Sequence, residues 1–591
     1  MSKIDDLKNQ FKLPICYNDK KHELSKTMIN DLELTKTINE GESPIYNSVF
    51  TPSHCFGEIM LESFSKYYTT DVDFLKDTQN MLKRNEKNEN NKNFDPHDFQ
   101  KILDTWNEIK GETGFCEKYL YIDWEFGKFL NNNPSFLQGM SIYNIVSPLL
   151  SLFMPIFILI VPFFILRIKG IPLKMVEYIE ILKLIMSNHA IGKIFTSFNK
   201  VDNQQKIYLF ISAAFYIFSI YQNILICIRF YSNTKKIHDY LFLFKNYLKH
   251  TLHSMDKHLT ITEPLESYKS FNEDVRKHKE ILSQFKKKLE KITPFQLSIR
   301  KMTEIGHILQ CFYQLYDNKV YNDSILYSFG YHGYIDNIEG LGKHISQKHL
   351  AYTKFYKKQS KNTNKNTNKN KNKNKNKNKN VFKKAYYPDL ISKTPIKNNC
   401  NLKSNLIITG PNASGKTTFL KTILINTLLS QQFGCGCYES AKIQPYDFIH
   451  CYLNIPDTSG RDSLFQAEAR RCKEIIDSIQ EHQEETHFCV FDELYSGTNP
   501  EEATLSSIAF MEYLVKHNNV SSILTTHYLK MCEQLENNSR IKNFHMKTLE
   551  KDVTFDYTYL IREGISSMKG GIQVLTDMNY PSEIIAKTRN K

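Results

Sequence analysis

The sequence lacks paired cysteines and an apolar N-terminus. Its twelve cysteines are scattered without a single CxxC pair, and the spacing of Cys435 and Cys437 suits neither a zinc knuckle nor a redox motif. We therefore expect reduced thiols in a reducing compartment. The first residues are polar and charged, so no secretory signal is predicted and the protein is expected to be intracellular.

A broadly basic surface is also missing. The formal net charge is +14, but thirteen lysines and no acidic residue lie between Lys354 and Lys384. Without those lysines the remaining net charge is +1, so composition does not predict a basic binding face. Residues 359–384 are interpreted as a Lys/Asn low-complexity insertion that is exposed and solvated. A phosphate-binding tail is the alternative interpretation.

The 591 residues are enough for three or four domains. Residues 1–40 are polar and without clear period, which predicts a flexible N-terminus. Residues 41–140 mix aromatic and charged side chains and are expected to form a small, mainly helical domain. In residues 231–358 apolar side chains recur at a spacing of three to four, which predicts long amphipathic helices, a core or lever region.

Residues 141–230 contain two segments without charge, Ile145–Leu166 and Ile207–Ile228. Each is long enough to cross a bilayer as a helix, so a transmembrane helical hairpin is predicted. A buried hairpin in a soluble core is the alternative. With both ends of the hairpin in the cytosol, its basic connecting loop would lie on the far side, against the positive-inside tendency. A re-entrant or half-buried hairpin would relieve that conflict.

The chemistry-bearing part of the sequence starts at the buried strand Leu406–Ile408, which runs into a GxxxxGK[ST] loop and then the helical run Thr418–Ser430. This order of strand, loop and helix is the context in which such a loop binds nucleotide phosphates. Lys416 is predicted to reach the β- and γ-phosphates of ATP, and the Thr417 hydroxyl to ligate Mg²⁺. The predicted ATP-binding residues of the loop are Gly410, Pro411, Asn412, Ala413, Ser414, Gly415, Lys416, Thr417 and Thr418.

Two further strands complete the predicted site. The apolar strand His487–Phe491 ends in Asp492 and Glu493. Asp492 is predicted to hold Mg²⁺, and Glu493 to orient and deprotonate the attacking water. A later strand ends at His527, a position from which a histidine can sense the γ-phosphate. The predicted catalytic residues are therefore Glu493, His527 and Lys416.

These motifs resemble those of the MutS family, whose phosphate loop also has Pro-Asn after its first glycine. Ser463–Glu468 is similar to the family signature, and Asn543–Met546 to the segment with a histidine near the adenine. The resemblance covers about Tyr386–Arg589. It implies an α/β P-loop ABC-type ATPase over residues 385–591, preceded by a largely α-helical region with the hydrophobic hairpin. It also implies a homodimer through the ATPase domains, in which Ser463 completes the partner's ATP site and His545 stacks near the adenine.

The sequence departs from the family at three places, Ala413 instead of the usual Met, Leu464 instead of the signature Thr, and the additional Asp462. Phe56-Gly57-Glu58 is similar to the mismatch-wedging Phe-x-Glu, but such triplets arise by chance in a chain with 39 phenylalanines. No other match to the mismatch-reading domains is present.

Two functional hypotheses remain open. The first is a MutS-like ATPase coupled to double-stranded DNA in mismatch repair or related DNA transactions. The second is a membrane-anchored mechanochemical ABC-type ATPase that does not read mismatches, with its ATPase domain facing the cytosol. The first also allows a soluble nuclear or cytoplasmic location. Too few hydrophobic segments and the absence of an LSGGQ-type signature disfavour a transporter.

Overall fold

The computed structural model of the chain describes residues 7–39, 41–86, 96–171, 174–188, 202–295, 298–356, 380–453, 463–551, 554–566, 575–576 and 578–589. The chain divides into two compact units, each built from separate stretches of sequence. Unit 1 consists of Met1–Phe99, Ser254–His278 and Leu326–Lys591, and unit 2 of Gln100–His253 and Lys279–Ile325. This division differs from the prediction, which treated residues 41–140 as one domain.

The α-helices are concentrated in the first 350 residues. They are α1 (Lys26–Asp31), α2 (Ile45–Phe50), α3 (Cys55–Phe64), α4 (Val72–Glu86), α5 (Pro96–Gly111), α6 (Phe115–Tyr119), α7 (Pro134–Ile168), α8 (Met175–Asn188), α9 (Asn203–Thr262), α10 (Lys269–Glu290), α11 (Ile299–Met302), α12 (Ile305–Asp317), α13 (Lys319–Ser346), α14 (Lys416–Phe433), α15 (Leu464–Glu481), α16 (Pro500–Leu514), α17 (Leu529–Leu535) and α18 (Ser582–Arg589). Short 3₁₀ helices cover Pro14–Tyr17, Glu125–Asn132, Glu266–Tyr268 and Pro388–Leu390.

The strands are concentrated in the last 250 residues. They are β1 (Lys21–Glu23), β2 (Tyr67–Thr69), β3 (Ala351–Phe355), β4 (Val381–Ala385), β5 (Asn398–Asn401), β6 (Asn405–Thr409), β7 (Cys435–Gly436), β8 (Ser440–Ile443), β9 (Phe448–Tyr452), β10 (His487–Asp492), β11 (Val520–Thr525), β12 (Ile541–Lys551) and β13 (Thr554–Glu563). The protein is thus a mixed helix-and-sheet chain with a helical region upstream, as predicted.

A six-stranded sheet in unit 1 positions the predicted site. Its order is β13-β12-β6-β11-β10-β9, and all neighbours are parallel except β12 and β13. Ile407, Phe491 and Leu524 are fully buried in its core, which is typical of a parallel sheet covered on both faces. The register aligns Asp492 with Thr525 and Thr525 with Ile408. The carboxyl ends of β6, β10 and β11 therefore meet at one edge.

A five-stranded sheet of order β5-β4-β8-β3-β7 also lies in unit 1. Its strand β4 contains Val381–Ala385, which corrects the prediction that the low-complexity insertion extends to residue 384. Phe382 is fully buried and Ala385 nearly so, because the apolar residues of this short strand pack inward. The Lys-Asn repeat itself, residues 357–379, lies outside the described residues.

Residues 7–39 pack within unit 1, in contrast to the predicted flexible N-terminus over residues 1–40. Phe11, Leu32 and Leu34 are buried, and the Phe11 ring lies 5.1 Å from that of Tyr327. The sequence signal was misleading because the segment has few apolar residues, spaced irregularly. Those few are nonetheless the ones that are buried, so the segment contributes to the core.

Helix α14 is held at its C-terminal end by the segments that precede it in sequence. The Tyr46 hydroxyl donates to Gln432 Oε1 at 2.8 Å, and Gln432 Nε2 donates to the carbonyls of Phe64 and Tyr67, each at 3.0 Å. Gln79 Nε2 donates to the Gly434 carbonyl at 2.7 Å. These bonds satisfy buried backbone carbonyls, so residues 45–86 belong structurally with the ATPase-like sheet.

Unit 2 contains the predicted hydrophobic hairpin. Helices α7 and α9 run antiparallel, since Tyr216 donates to the Ser151 carbonyl at 3.0 Å and Cys227 Sγ lies 3.7 Å from the Ile145 carbonyl. Helix α7 begins at an Asn133 cap whose side chain accepts from two backbone N–H groups. The additional helix α8 lies between them in sequence.

Two helical stretches in the described part of the chain are long and apolar enough to cross a membrane, Pro134–Phe153 and Lys206–Thr262. In their most apolar windows 22% of the residues of the first and none of the second are buried. Core helices of soluble proteins share this length and composition but are mostly buried, so the exposure is the informative observation.

Candidate functional site at the ends of β6, β10 and β11

The loop between β6 and α14 has a backbone that requires glycine at its ends. Gly410 and Gly415 have φ values of +154° and +92°, and Ala413 lies in the left-handed region at +63°. A Cβ atom on Gly410 would lie 2.8 Å from Ser414 Oγ, closer than side chains tolerate. The loop is therefore tightly turned, with left-handed backbone that glycine adopts most easily.

Lys416 is the first residue of α14 and is 6% exposed. Its Nζ atom donates to the carbonyls of Gly410 at 3.2 Å and Pro411 at 3.3 Å. Burial lowers the pKa of Lys416, and the carboxylates of Glu493 and Asp492 oppose that shift. The amine is thus held over the loop, where it can neutralise an anionic ligand.

Asp492 ends β10 and receives two hydroxyl hydrogen bonds. Thr417 Oγ1 donates to its Oδ2 at 2.8 Å, and the Thr525 hydroxyl donates to its Oδ1. One carboxylate and one hydroxyl suit Mg²⁺, which binds through few protein oxygens and takes the remaining ligands from water and phosphates. Among the described residues, no cluster of three or more His, Cys, Asp or Glu side chains offers a fuller metal cage.

Glu493 and His527 form a pair at the same edge. His527 Nε2 lies 3.0 Å from Glu493 Oε1, and the Glu493 backbone N–H donates to the Thr525 carbonyl at 3.1 Å. The hydrogen bond with His527 is the main cause that holds the pKa of Glu493 below its ordinary range, and the charges of His527 and Lys416 add to it. These contacts therefore favour the carboxylate form of Glu493.

The structure thus brings together Lys416, Thr417, Asp492, Glu493 and His527. The remaining loop residues differ in exposure. Asn412, Ala413 and Thr418 are exposed and Pro411 is buried. Ser414 Oγ is buried, and no described residue forms a hydrogen bond with it.

Ser463 and His545 occupy different positions from this group. Ser463 caps α15 in a reciprocal pair with Gln466, whose N–H it accepts at 3.3 Å, and it is exposed. His545 lies in β12, paired with Thr409 just before the loop. Its Nδ1 is buried without a hydrogen bond from any described residue. The roles of both residues stay predictions. The turn before Ser463, with Asp462, lies outside the described residues.

Glu468 was not among the predicted site residues. It is 2% exposed and accepts from the Ser496 N–H at 3.0 Å, the Ser496 hydroxyl at 2.8 Å and the Gly497 N–H at 3.1 Å. It therefore connects α15 to the loop that follows Glu493. A buried acidic residue on an otherwise apolar helix face is the signal that could have identified it.

Tyr559 was also missed. Its ring lies beside the loop, since a Cβ on Gly415 would be 3.0 Å from Tyr559 Cδ1. The residue has a left-handed φ of 55°, and Asn398 Nδ2 donates to its carbonyl at 2.9 Å. No local sequence signal predicts this contact, because the irregular pairing of β12 and β13 near Thr548 sets the orientation of Tyr559.

The candidate Phe-x-Glu triplet does not present its aromatic ring to a ligand. Phe56 is fully buried and stacks on Phe329 at 4.6 Å. It is therefore a core residue of unit 1.

Comparison with known proteins finds similarity in the C-terminal part of the chain. Residues 406–591 match the family MutS domain V. MutS domain V is an α/β domain of the ATPase type. The match begins inside β6 and includes every predicted site residue, whereas residues 1–405 lie outside it.

Relatives of the C-terminal third are named DNA mismatch repair protein MutS. The protein of Bacillus subtilis is 28% identical over 207 residues, which are 34% of this chain and 23% of that protein. The protein of Persephonella marina is 28% identical over 211 residues, 35% of this chain and 24% of its own length. The chain thus spans about a quarter of the length of the curated relatives it matches. The C-terminal third of the chain is thus similar to part of the MutS proteins.

Proposed function

We propose that unit 1 binds and hydrolyses ATP with Mg²⁺ at the loop Gly410–Gly415. The observation that carries the proposal is the convergence of Lys416, Asp492 and Glu493 at one sheet edge. The site also fits the ligand. The tight loop, the buried Ser414 hydroxyl and the amine over two carbonyls together provide donors for phosphate oxygens.

Each residue has a distinct task in this proposal. Lys416 neutralises the β- and γ-phosphates, and Thr417 with Asp492 holds Mg²⁺, which supplies further positive charge. Glu493 takes the proton of the attacking water through its carboxylate. The exposed Tyr559 ring offers an aromatic face for the adenine of ATP, and the resemblance to MutS suggests His545 as a second residue near the adenine.

We further propose that the active form is a homodimer. The N-terminus of α15 is exposed at Ser463, where the positive end of the helix dipole can approach the ATP of a second copy. Glu468 would couple this helix to the loop after Glu493. Because both copies would contact the γ-phosphate, ATP would tighten the dimer and hydrolysis would loosen it.

Coupling to double-stranded DNA, in mismatch repair or a related DNA transaction, is the proposed role of this ATPase. The names of the relatives support this role.

The test measures ATP turnover by the full-length chain in Mg²⁺ under three conditions: without DNA, with a matched duplex and with a mismatched duplex. Stimulation by duplex supports the role, and stimulation by the mismatched duplex alone supports repair. A turnover rate that neither duplex changes would reject the DNA role, but it would not contradict the proposed ATPase activity.

The ATPase itself is tested by two variants. Lys416→Ala should lose nucleotide binding, because the phosphate counter-charge is removed. Glu493→Gln should retain binding and lose turnover by about 10²-fold or more, because an amide cannot take a proton. The exposed Glu474 provides a matched control, and Glu474→Gln should leave both unchanged. Equal loss of binding in the first two variants would contradict the assigned roles.

A membrane-anchored ATPase without mismatch recognition is the second candidate. It is favoured by the exposed apolar side chains of α7 and α9, including Phe157, Ile165, Phe210 and Phe215. Trp124 and Phe126 are also exposed, 66% and 92%, just before α7, as aromatic residues at a membrane interface are. Deleting residues 145–228 should then convert a carbonate-resistant membrane protein into a soluble one. A full-length chain that is soluble without detergent would reject this candidate.

A further inference from the structure

The five-stranded sheet of unit 1 has one face that carries lysines and no acidic residue. Its strands β3, β4, β5, β7 and β8 contain neither Asp nor Glu. Side chains along a strand alternate between the two faces of a sheet. The register partners Phe382 and Ala441 are buried on one face. Lys354, Lys383 and Lys442 are exposed on the other, which we call the basic face.

The lysines of the basic face lie next to one another. Lys354 and Lys442 are register partners in the adjacent strands β3 and β8, and such strands are about 4.8 Å apart. Lys442 is also the register partner of Val381 in β4. Lys383 follows two residues after Val381 and therefore lies on the same face. Three positive charges are thus gathered on three neighbouring strands.

The stability of the sheet does not explain this arrangement. Like charges at neighbouring positions of adjacent strands destabilise a sheet. Lysines that protect a sheet from aggregation are found on edge strands, whereas β8 is the central strand in the order β5-β4-β8-β3-β7. A local rule that is broken without a structural gain is typical of a functional surface.

Aromatic rings support two ammonium groups in this region. Lys442 Nζ lies 4.2 Å from the centre of the Tyr356 ring, and Lys83 Nζ, from α4, lies 4.7 Å from the centre of the Tyr352 ring. These cation–π contacts hold the charges in place but do not neutralise them. They also cover the tyrosine rings, which are then less available for stacking on nucleic-acid bases.

The positive charge of the basic face is not balanced by the surrounding side chains. Glu439 lies directly before β8, and its carboxylate is paired with Lys384 at 2.6 Å. In the part of the chain that the structure describes, no acidic side chain forms an ion pair with a lysine of the basic face. The face therefore has an excess of positive charge and is complementary to a polyanion.

The neutral side chains favour a nucleic acid over a lipid surface. Asn399 Oδ1 accepts from the Lys384 N–H at 2.9 Å, and Asn401 Oδ1 accepts from the Lys403 N–H at 3.2 Å. Both side-chain NH₂ groups therefore remain as donors, and amides and lysines are typical contacts of phosphate and sugar oxygens. A membrane-binding face inserts large apolar side chains, and none is exposed on the described strands of this sheet.

We propose that the basic face binds the phosphate backbone of double-stranded DNA without reading its sequence. Lys354 and Lys442 contact neighbouring phosphates, and Lys383 contacts a third. Single-strand binding is disfavoured because it relies on aromatic rings that are free to stack on bases. The inference rests on the proposed DNA role and adds its contact surface, but DNA binding is measurable without ATP turnover.

The test measures the affinity of the full-length chain for a short fluorescein-labelled DNA duplex, without ATP, by fluorescence anisotropy at several salt concentrations. Each lost phosphate contact lowers the slope of log affinity against log salt by about 0.9. Lys354→Gln/Lys442→Gln should therefore lower the slope by about 1.8 and weaken binding about tenfold or more at about 0.1 M salt. The Lys-Asn repeat is present in every variant, so its contribution cancels.

Two matched variants serve as controls. Lys66→Gln/Lys516→Gln removes the same charge from exposed positions outside the sheet, and it should retain the affinity to within about threefold. Lys354→Arg/Lys442→Arg keeps both charges and should also retain it. The melting temperature of Lys354→Gln/Lys442→Gln should be unchanged or slightly higher, because the repulsion between the two lysines is removed.

Three outcomes would overturn the proposal. The first is an equal slope for Lys354→Gln/Lys442→Gln and for Lys66→Gln/Lys516→Gln. The second is an effect that depends on the base sequence of the duplex. The third is lost binding to phosphatidylserine vesicles with unchanged binding to duplex, which would assign the basic face to a membrane. Duplex binding that requires the basic face, with ATP turnover that ignores DNA, would support this proposal and reject the DNA role of the ATPase.

Discussion

The Nζ atom of Lys416 lies 2.9 Å from Nε2 of His527, and the same imidazole nitrogen lies 3.0 Å from Oε1 of Glu493. One nitrogen cannot serve both partners at once. It accepts from Lys416 only without a hydrogen, and it donates to Glu493 only with one. In the proposed ATPase, a Lys416 side chain that turned to a phosphate would release His527 to bond with Glu493. The histidine would then couple phosphate binding to the proposed general base, Glu493.

Replacing His527 tests this relationship. His527→Ala should lower ATP turnover by about 10- to 100-fold, because Glu493 loses the partner that orients it. Nucleotide binding should change little, because Lys416 and the loop remain. Rapid-quench turnover and equilibrium binding of a fluorescent ATP analogue measure the two quantities.

His517 provides the matched control for that variant. It precedes β11, at the opposite end of the strand from His527, and His517→Ala should leave turnover unchanged. A loss of nucleotide binding in His527→Ala as large as that in Lys416→Ala would show that the histidine supports the loop and does not act on Glu493.

Mixed dimers test the composite site. A subunit with Lys416→Ala is combined with a subunit carrying Ser463→Arg, whose side chain would block the end of α15. In the mixed dimer both lesions share one site, so the other site stays intact and turnover should return to about half of the unmodified level per dimer. No recovery in mixed dimers of verified composition would mean that each subunit acts alone or that the two sites are strictly coupled.

Glu468→Ala should destabilise unit 1. The change leaves the Ser496 N–H, the Ser496 hydroxyl and the Gly497 N–H without their shared acceptor, which costs about 2–4 kcal/mol. Denaturant unfolding measures the loss. Glu474→Ala, on the same helix but in a surface ion pair with Arg471, should cost less than about 1 kcal/mol. Similar losses of stability in both variants would show that the hydrogen bonds of Glu468 contribute no more to folding than a surface ion pair does.

Asp31 predicts a pH dependence of stability. Burial raises the pKa of Asp31 to about 6, although Arg471 and Lys421 oppose the shift. The unfolded carboxyl ionises near its ordinary pKa of 3.8, so the favourable contribution of the protonated group is present below that pH and is lost as pH rises towards 6. Asp31→Asn should therefore stabilise unit 1 above pH 6, by about 1 kcal/mol after allowance for solvent screening.

Thermal unfolding at pH 4.5 and pH 7.5 checks this sign. The advantage of Asp31→Asn should be small at pH 4.5 and full at pH 7.5. The matched control is Asp73→Asn, because the Asp73 side chain is 89% exposed, and it should show no such difference. A larger advantage at the lower pH would show that Asp31 is stabilised as a carboxylate.

Local patterns predicted the site better than the fold around it. The glycine-rich loop, Lys416 and the Asp492-Glu493 pair were predictable because each depends on a strand end and a short motif. The position of Tyr559 and the role of Glu468 depend on contacts between distant segments, and neither spacing nor composition contains that information.

The parts of the fold that the sequence did not predict also depend on contacts between distant segments. Strands β3 and β4 are separated by the Lys-Asn repeat in sequence, yet both pair with β8. The N-terminal segment was expected to be flexible because polar residues dominate it, but Phe11 packs against Phe271 and Tyr327, which are hundreds of residues away. Long-range pairing of this kind is not visible in local periodicity.

The bonds from Tyr46 and Gln79 to the end of α14 have a practical consequence for fragment design. A polypeptide that begins at residue 385, where the family resemblance begins, would leave Gln432 and the Gly434 carbonyl without their partners and expose the apolar face of α14. Such a fragment should misfold or aggregate when expressed alone. Supplying residues 7–86 on a second polypeptide should restore its solubility, so we expect the C-terminal third of this protein to be produced best as a two-piece assembly or as the intact chain.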